Sequence, residues 1–401
     1  MAMASAPARS NKRAKLAAPV TLADDGVLPT DVLSEVLLRL PAKALCRLRL
    51  VCRSWRSLTS DPEFAKAHSS RHLLAVGLRF RSGTPDRDIH FLDLSGNIVK
   101  RMSLTDCSPE FSVQRGLLCL LSENRSHVSV LNPATGAVSA LPDDIAVAHD
   151  GILGDDSWTT CVLGHVPITG SYKVLRIHSY LPIIDIACTQ QVCEVITLGD
   201  GDLSTRWRAK PGPSICVAMD SRDIAVVNGV ACFLFMTFGI GDRVIVEPDG
   251  IALFDLATEE WRPVTLRGPL STNLSDTDKK LPYQRHRKDL QLRRLDGCLV
   301  TVHHNRQDCS MGIWFLEDMD KGLWIKRHSI SYMPDCKYDQ FILPYPMTVL
   351  KDGRIVIWVQ RKQVLAAYDP KTGTLADLAN VDDYCAVGML EGSLLSSRVP
   401  S

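Results

Sequence analysis

Apolar residues repeat along this chain with two different periods, and the period changes once. Between residues 28 and 70 they recur at steps of three and four. Val32, Leu33, Val36, Leu37 and Leu40 form one wide apolar helix face. Thr30 is placed to cap that helix, and Asp31 falls in its first turn, where the helix dipole favours negative charge. Pro41 ends the helix and can open the next. Leu45, Leu48, Val51, Cys52, Trp55 and Leu58 continue the spacing, and Asp61-Pro62 restarts a short helix carrying Phe64 and His68. A module of about 40 residues is too small to close a core alone. Its apolar surface must lean on the rest of the chain, on a partner, or on both.

After residue 70 the pattern becomes one of short strands. Runs such as Leu73–Phe80, Val128–Leu131, Ile251–Phe254 and Ile355–Val359 are rich in β-branched and aromatic residues. No amphipathic helix of three turns follows, so the reading is one large all-β domain. A loose repeat organises it. In Asn132-Pro133-Ala134-Thr135-Gly136-Ala137-Val138, an Asn starts a turn, a Thr stands three positions on and an apolar residue six positions on. Asp255 to Trp261 and Asp369 to Leu375 follow the same plan. Variants begin at Asp93, Asp200 and Asp318, and Trp207 and Trp324 follow the last two much as Trp261 follows Asp255. Asp and Asn side chains bond the backbone just ahead of them, and Pro or Gly supplies the turn dihedrals. Each copy therefore reads as a hairpin between outer strands. Six copies at a mean spacing of about 55 residues predict a β-propeller of about six blades.

A propeller left open would expose strand edges at both ends. The last apolar run, Tyr384–Leu390, and the residues after it to 396 are therefore expected to pair within the blade that holds 73–80 or 88–94. Residues 224–240 are the most membrane-like stretch, but Asn228-Gly229 marks a hairpin there, so two buried strands are expected. Residues 271–289 break the pattern. They are polar and basic, with Arg293 and Arg294 extending the charge, and read as a mobile inter-strand loop.

Net charge is +1, which gives no global field for nucleic acid. The 13 cysteines are odd in number, scattered and without a CxxC pair, a pattern of buried free thiols in a reducing compartment. Residues 1–26 have no apolar core of signal-peptide length and read as a disordered tail. Asn11-Lys12-Arg13-Ala14-Lys15 is a weak look-alike of a nuclear signal, and the expected location is the nucleus, the cytoplasm or both. No phosphate-cradling, HExxH, GxSxG or zinc-ligand spacing is present. His303 and His304 would point to opposite faces of a strand, which disfavours a shared ion.

Three landmarks give the helical run a family likeness. Leu28-Pro29 opens it, Leu40-Pro41 joins its helices, and Val51-Cys52-Arg53-Ser54-Trp55 closes it; in this order they resemble an F-box. The β region, with turns like 132–136, resembles the F-box-associated β domain common in plant F-box proteins. The resemblance implies an F-box module at 27–69 and a substrate-recognition propeller at 70–401. It implies the substrate-recognition subunit of an SCF-type ubiquitin ligase, with no catalysis, cofactor or metal of its own. Leu28, Pro29, Val32, Val36, Leu40, Pro41, Leu45, Leu48, Val51, Cys52 and Trp55 would supply the Skp-adaptor contact and the small core behind it. Cullin and RING subunits would follow through the adaptor, and neither nucleic acid nor membrane is an expected partner. The local excess of Arg39, Lys43, Arg47, Arg49, Arg53 and Arg56 suits an acidic adaptor. Two other readings are a non-degradative propeller scaffold and a propeller-fold hydrolase or oxidoreductase.

Overall fold

The computed structural model describes residues 28–81, 84, 86–153, 157–180, 190–199, 206–236, 249–273, 289–306, 308–332, 343–390 and 394–395. Four helices come first: α1 (Thr30–Leu37), α2 (Ala42–Leu48), α3 (Arg53–Ser60) and α4 (Pro62–Arg71). Two caps differ from expectation. Pro29 rather than Thr30 is the N-cap of α1, and Thr30 is already helical with no side-chain cap bond. Pro41 caps α2 instead of starting it, because its extended backbone (ψ 151°) still lies outside the helix. The apolar run from Leu45 to Leu58 is two helices, not one. Cys52 divides them in an extended conformation, and its Sγ accepts the Trp55 N–H at 3.5 Å to cap α3. Asp61 Oδ1 caps α4 through the Glu63 N–H at 2.7 Å, with Pro62 in the first turn.

The strands form six four-stranded antiparallel sheets, the blades of a propeller. Blade 1 contains β1 (Leu74–Phe80), β2 (Arg87–Asp93) and β3 (Ile98–Leu104). Blade 2 is β4 (Phe111–Gln114), β5 (Leu117–Leu121), β6 (Val128–Leu131) and β7 (Val138–Ala140). Blade 3 is β8 (Trp158–His165), β9 (Tyr172–Tyr180), β10 (Gln190–Leu198) and β11 (Arg208–Lys210). Blade 4 is β12 (Ile224–Val227), β13 (Val230–Leu234), β14 (Ile251–Asp255) and β15 (Glu260–Trp261). Blade 5 is β16 (Leu290–Leu295), β17 (Cys298–Asn305), β18 (Ser310–Asp318) and β19 (Leu323–Ser331). Blade 6 is β20 (Tyr345–Val349), β21 (Ile355–Val359), β22 (Val364–Asp369) and β23 (Thr374–Asn380).

The final strand, β24 (Tyr384–Leu390), returns to blade 1. It pairs antiparallel with β1, from Leu74 opposite Leu390 to Arg79 opposite Tyr384. The ring is therefore closed by its two chain ends, as the edge argument requires. Gly77 permits the seam: a Cβ there would stand 2.5 Å from the Tyr384 ring. The Tyr384 hydroxyl is fixed in turn by His90 Nδ1 at 2.7 Å. Of the tail of that expected run, only Leu394 and Leu395 lie among the described residues; neither is in a strand, Leu395 packs into the cluster under the helices, and Leu394 touches both that cluster and the one between blades 1 and 2.

The repeat turns fall where they were placed, between the third and fourth strands. Asn132 Oδ1 accepts the Ala134 N–H at 2.8 Å, Asp255 Oδ1 the Ala257 N–H at 2.9 Å and Asp369 Oδ1 the Lys371 N–H at 2.9 Å. Asp93 and Asp318 do the same for Ser95 and Asp320, while the turn at 200–202 lies outside the described residues. The three tryptophans have a shared task. Trp207, Trp261 and Trp324 donate their indole N–H to the carbonyls of Pro142, Pro211 and Arg267, at 2.7, 3.0 and 2.8 Å. Each carbonyl belongs to the connection leading into that tryptophan's own blade. Asn228 and Gly229 both have positive φ and join β12 to β13, so 224–234 is the expected pair of buried strands.

Apolar clusters fill the space between each pair of neighbouring blades. A further cluster lies under the helices, where Leu37, Leu45 and Phe64 meet Leu395. The expected loop at 271–289 is largely outside the described residues. Its first residues are not loop: Ser271 lies in the middle of a short helix (Pro269–Asn273), and the buried Asp249 accepts its N–H at 2.8 Å. Arg293 and Arg294 do not extend that loop either, because they lie on β16. Several buried thiols are as expected, but Cys46 and Cys52 are exposed.

Candidate functional site

Two places in the molecule have surface or charge that the fold itself does not use. The first is the helical module. Leu45 is fully buried in its core, and Leu40, Leu48 and Trp55 are partly buried against that core. Leu28, Val32, Val36 and Val51 are instead 52, 46, 47 and 63% exposed, and Pro29, Pro41 and Cys52 are exposed beside them. The eleven candidates thus divide into an outward set and an inward set that holds it in place. Leu50, at 88% exposed, belongs with the outward set and was missed. It stands two positions from Leu48 and so falls off the helical period. The only sequence signal was an unbroken Leu-Val-Cys run at the end of α2.

The inward side is firmly tied. Arg71 Nη2 donates to both carboxylate oxygens of Glu35 at 3.0 and 2.9 Å, joining α4 to α1. His68 and His72, stacked 4.3 Å apart, place ring nitrogens 2.9 and 3.0 Å from the carbonyls of Leu40 and Leu38. Arg49 Nη2 reaches the carbonyls of Thr59 at 2.6 Å and Leu395 at 2.9 Å, tying the module to the chain segment that follows β24.

The module sits on one particular face of the propeller. In each antiparallel blade, the first-to-second and third-to-fourth turns emerge on the same side. A cavity at the junction is lined by His68, His72 and Ala42 from the helices, Asp93 and Leu94 from the β2–β3 turn, and Lys351 from the β20–β21 turn. The helices therefore cover the face that carries the Asx turns. The second-to-third turns and the connections between blades emerge on the opposite face.

The second place is the channel on the propeller axis. Strands β24, β4, β8, β12, β16 and β20 line it, each touching the next around the ring. They enclose a cavity of about 250 Å³. Its charged residues are Glu110, Arg222, Arg293 and Arg294. Arg125 grips Glu110 with two bonds of 2.7 and 3.2 Å, and Arg222 grips Asp220 with bonds of 2.6 and 3.0 Å. Arg294 Nη1 donates across the channel to Gln114 Oε1 at 3.1 Å. Arg293 stacks over the Tyr345 ring at 4.2 Å, and burial pulls its pKa down.

Other buried charges are closed on themselves. Glu194 accepts Arg176 Nε at 2.9 Å and the Ala146 N–H at 2.8 Å, with His149 at 3.0 Å. Burial raises its pKa, but hydrogen bonds from His178 and the Arg176 charge outweigh that and hold it at about 2. Glu259 sits among Arg208, Lys173 and Lys210, which likewise overcome burial and hold it at about 2. His304 is buried on β17, with Nδ1 3.3 Å from the Tyr332 hydroxyl, and His303 alternates to the other side of the strand. Among the described residues, no group of three His, Cys, Asp or Glu side chains is placed to hold a metal ion.

Comparison with known proteins agrees with this geometry. Residues 84–379 match the F-box-associated β-propeller domain model, and residues 27–66 match the F-box domain model. The chain belongs to the F-box-associated β-propeller family. An F-box protein of Arabidopsis thaliana is 29% identical over 397 residues, covering 88% of this chain and 87% of that protein. A second from the same plant is 29% identical over 326 residues, covering 75% and 70%. An F-box/kelch-repeat protein of Arabidopsis thaliana is 26% identical over 324 residues, covering 75% and 68%. The F-box of this chain is thus the four-helix module, and its associated domain is the six-bladed ring.

Proposed function

We propose that this F-box protein is a non-catalytic substrate-recognition subunit of an SCF-type ubiquitin ligase. In this reading the F-box docks a Skp-type adaptor, which brings the cullin and RING subunits. The observation that carries it is the outward apolar set, Leu28, Val32, Val36, Leu50 and Val51, on a module whose own core is already filled. Surface of that kind, rimmed by Arg39, Lys43, Arg47 and Arg53, suits a partner with an apolar groove and acidic edges.

The placement of the module divides the remaining labour. It covers the Asx-turn face, so the substrate protein is held on the opposite face. Val147 and Ile152 are exposed on the β7–β8 connection there, and Trp158 is exposed at the start of β8. The subunit then performs no bond chemistry; it raises the effective concentration of a substrate lysine near the ubiquitin carrier.

The test is a pull-down of the Skp-type adaptor with the full chain. The Leu28→Ala/Pro29→Ala variant should lose the adaptor while the propeller melts unchanged, since both side chains are exposed. Undiminished capture by that variant would sink the assignment.

A further inference from the structure

The channel holds a guanidinium that the fold does not satisfy. Arg293 Nη1 reaches only the carbonyl of its own neighbour Leu292, at 3.3 Å, and Nη2 reaches only Gln291 Oε1, at 3.4 Å. Both are at the weak end of hydrogen-bond geometry. Its Nε is buried and has no hydrogen-bond partner. No carboxylate forms an ion pair with it among the described residues, whereas Arg222 on the same channel grips Asp220 with two bonds, and the channel's Glu110 is held by Arg125 with two. Arg293 is half-buried, and a cation with a buried, unpartnered Nε is costly to leave in this state. It is uncommon unless something else completes it.

The geometry says what shape of group would complete it. One face of the guanidinium lies on the Tyr345 ring, and the Tyr345 hydroxyl donates to the Val387 carbonyl at 2.6 Å, which fixes the ring. Stacking occupies a face and leaves the in-plane donors open. Those donors match the two oxygens of a carboxylate. The remaining walls favour an apolar body: Phe111, Val113, Ile224, Met347 and Val387 all line the cavity. Arg222 and Arg294 share the cavity, but Asp220 already grips the first and the second reaches Gln114, so a strongly hydrated dianion would be less well matched here than a monoanion. At about 250 Å³ the cavity is also at the small end for ligand pockets, which run from ~300 Å³ upward.

We propose that the propeller channel binds a small organic monocarboxylate, its carboxylate held in the fork of Arg293 and its apolar body against Phe111, Val113 and Met347. This site is separate from adaptor docking, so its test involves no adaptor and its failure leaves the proposed ligase role untouched.

Benzoate and its neutral isostere benzamide are titrated calorimetrically into the full chain. Benzoate should bind about tenfold tighter than benzamide, because the amide leaves the half-buried cation without an opposite charge. In Arg293→Gln that ratio should collapse to about one, and in Arg293→Lys, which keeps the charge but loses the fork, it should be intermediate. The comparison of the two ligands on the unaltered chain stands even if a variant fails to fold. Equal binding of the two ligands, or no saturable benzoate binding at millimolar concentration, would overturn the proposal. So would an undiminished ratio in Arg293→Gln. Displacement of benzoate by inorganic phosphate or phosphoserine more strongly than by benzoate itself would overturn the monocarboxylate assignment in favour of a phosphate group.

Discussion

The F-box and the propeller are built from the same apolar residue types and solve the burial problem in opposite ways. Each blade gives both its faces to its neighbours, and the six interblade clusters form a closed circuit. The F-box has one small cluster and borrows Leu395 from the far end of the chain to complete it. Its surplus, from Leu28 to Val51, faces outward. In the closed ring every blade face is covered by a neighbour, and only short strand edges at the rim and the axis stay unpaired. The small helical module fills its core and still keeps an apolar face exposed. The difference predicts where mutations cost stability and where they cost association.

The largest effect should come from opening the ring. Truncation after Asp383 removes β24, the innermost strand of blade 1, and with it the pairing of Leu74–Arg79. It also strips Tyr384, Val387 and Leu390 from the clusters on both sides of that blade. The cooperative thermal transition of the whole propeller should be lost in calorimetry. A transition that persists with only a reduced enthalpy would show that the blades are independent and that the contrast is overstated. A milder version acts at the same seam. Gly77→Ala drives a methyl to 2.5 Å from the Tyr384 ring, an overpacking expected to cost about 1–3 kcal/mol. The denaturation midpoint should fall with the slope unchanged.

What was legible in the sequence follows from range. The Asx turns are local devices: Asp255 bonds residues two and three positions on, so its meaning survives without tertiary contacts. Six of them gave the blade number, and the missing strand at one end gave the closure. The F-box landmarks were legible for the same reason, as prolines and a terminal tryptophan at helix joints. The channel was not. Arg222, Arg293 and Tyr345 come from three different blades and meet only because the inner strands converge on one axis. Read along the chain, Arg293 looked like the end of a basic loop. Leu50 was invisible because an exposed side chain in the turn after α2 need not obey the period of that helix.

The propeller should also carry an acid-sensitive element. Burial, reinforced by the charges near His303, Arg306 and Arg293, drops the His304 pKa from 6.5 to about 3. The folded chain therefore holds this imidazole neutral at a pH where the unfolded chain protonates it. Its contribution is fully present above pH 6.5 and is lost as pH falls from there toward 3. His304→Phe should flatten that limb of a stability-against-pH curve. An unchanged slope would mean that other groups set the acid limb.

The smallest stability effect should accompany one of the larger binding effects. Leu50 is 88% exposed and belongs to no cluster of the folded chain. Replacing it with serine removes nothing from the interior, so unfolding of the isolated protein should shift by no more than about 0.5 kcal/mol. In the complex with a Skp-type adaptor the same side chain would be desolvated. Burying a leucine is worth roughly 1.5–3 kcal/mol, which is about a ten- to hundredfold loss of affinity when it is removed. Paired measurements on Leu50→Ser, a melt of the free chain and a titration with the adaptor, therefore separate the two roles at one residue. An unaffected melt with weakened binding places Leu50 in the interface. A lowered melt would instead assign it to the fold, and equal affinity would move the docking surface back toward Leu28, Val32 and Val36, whose exposure is only half as great.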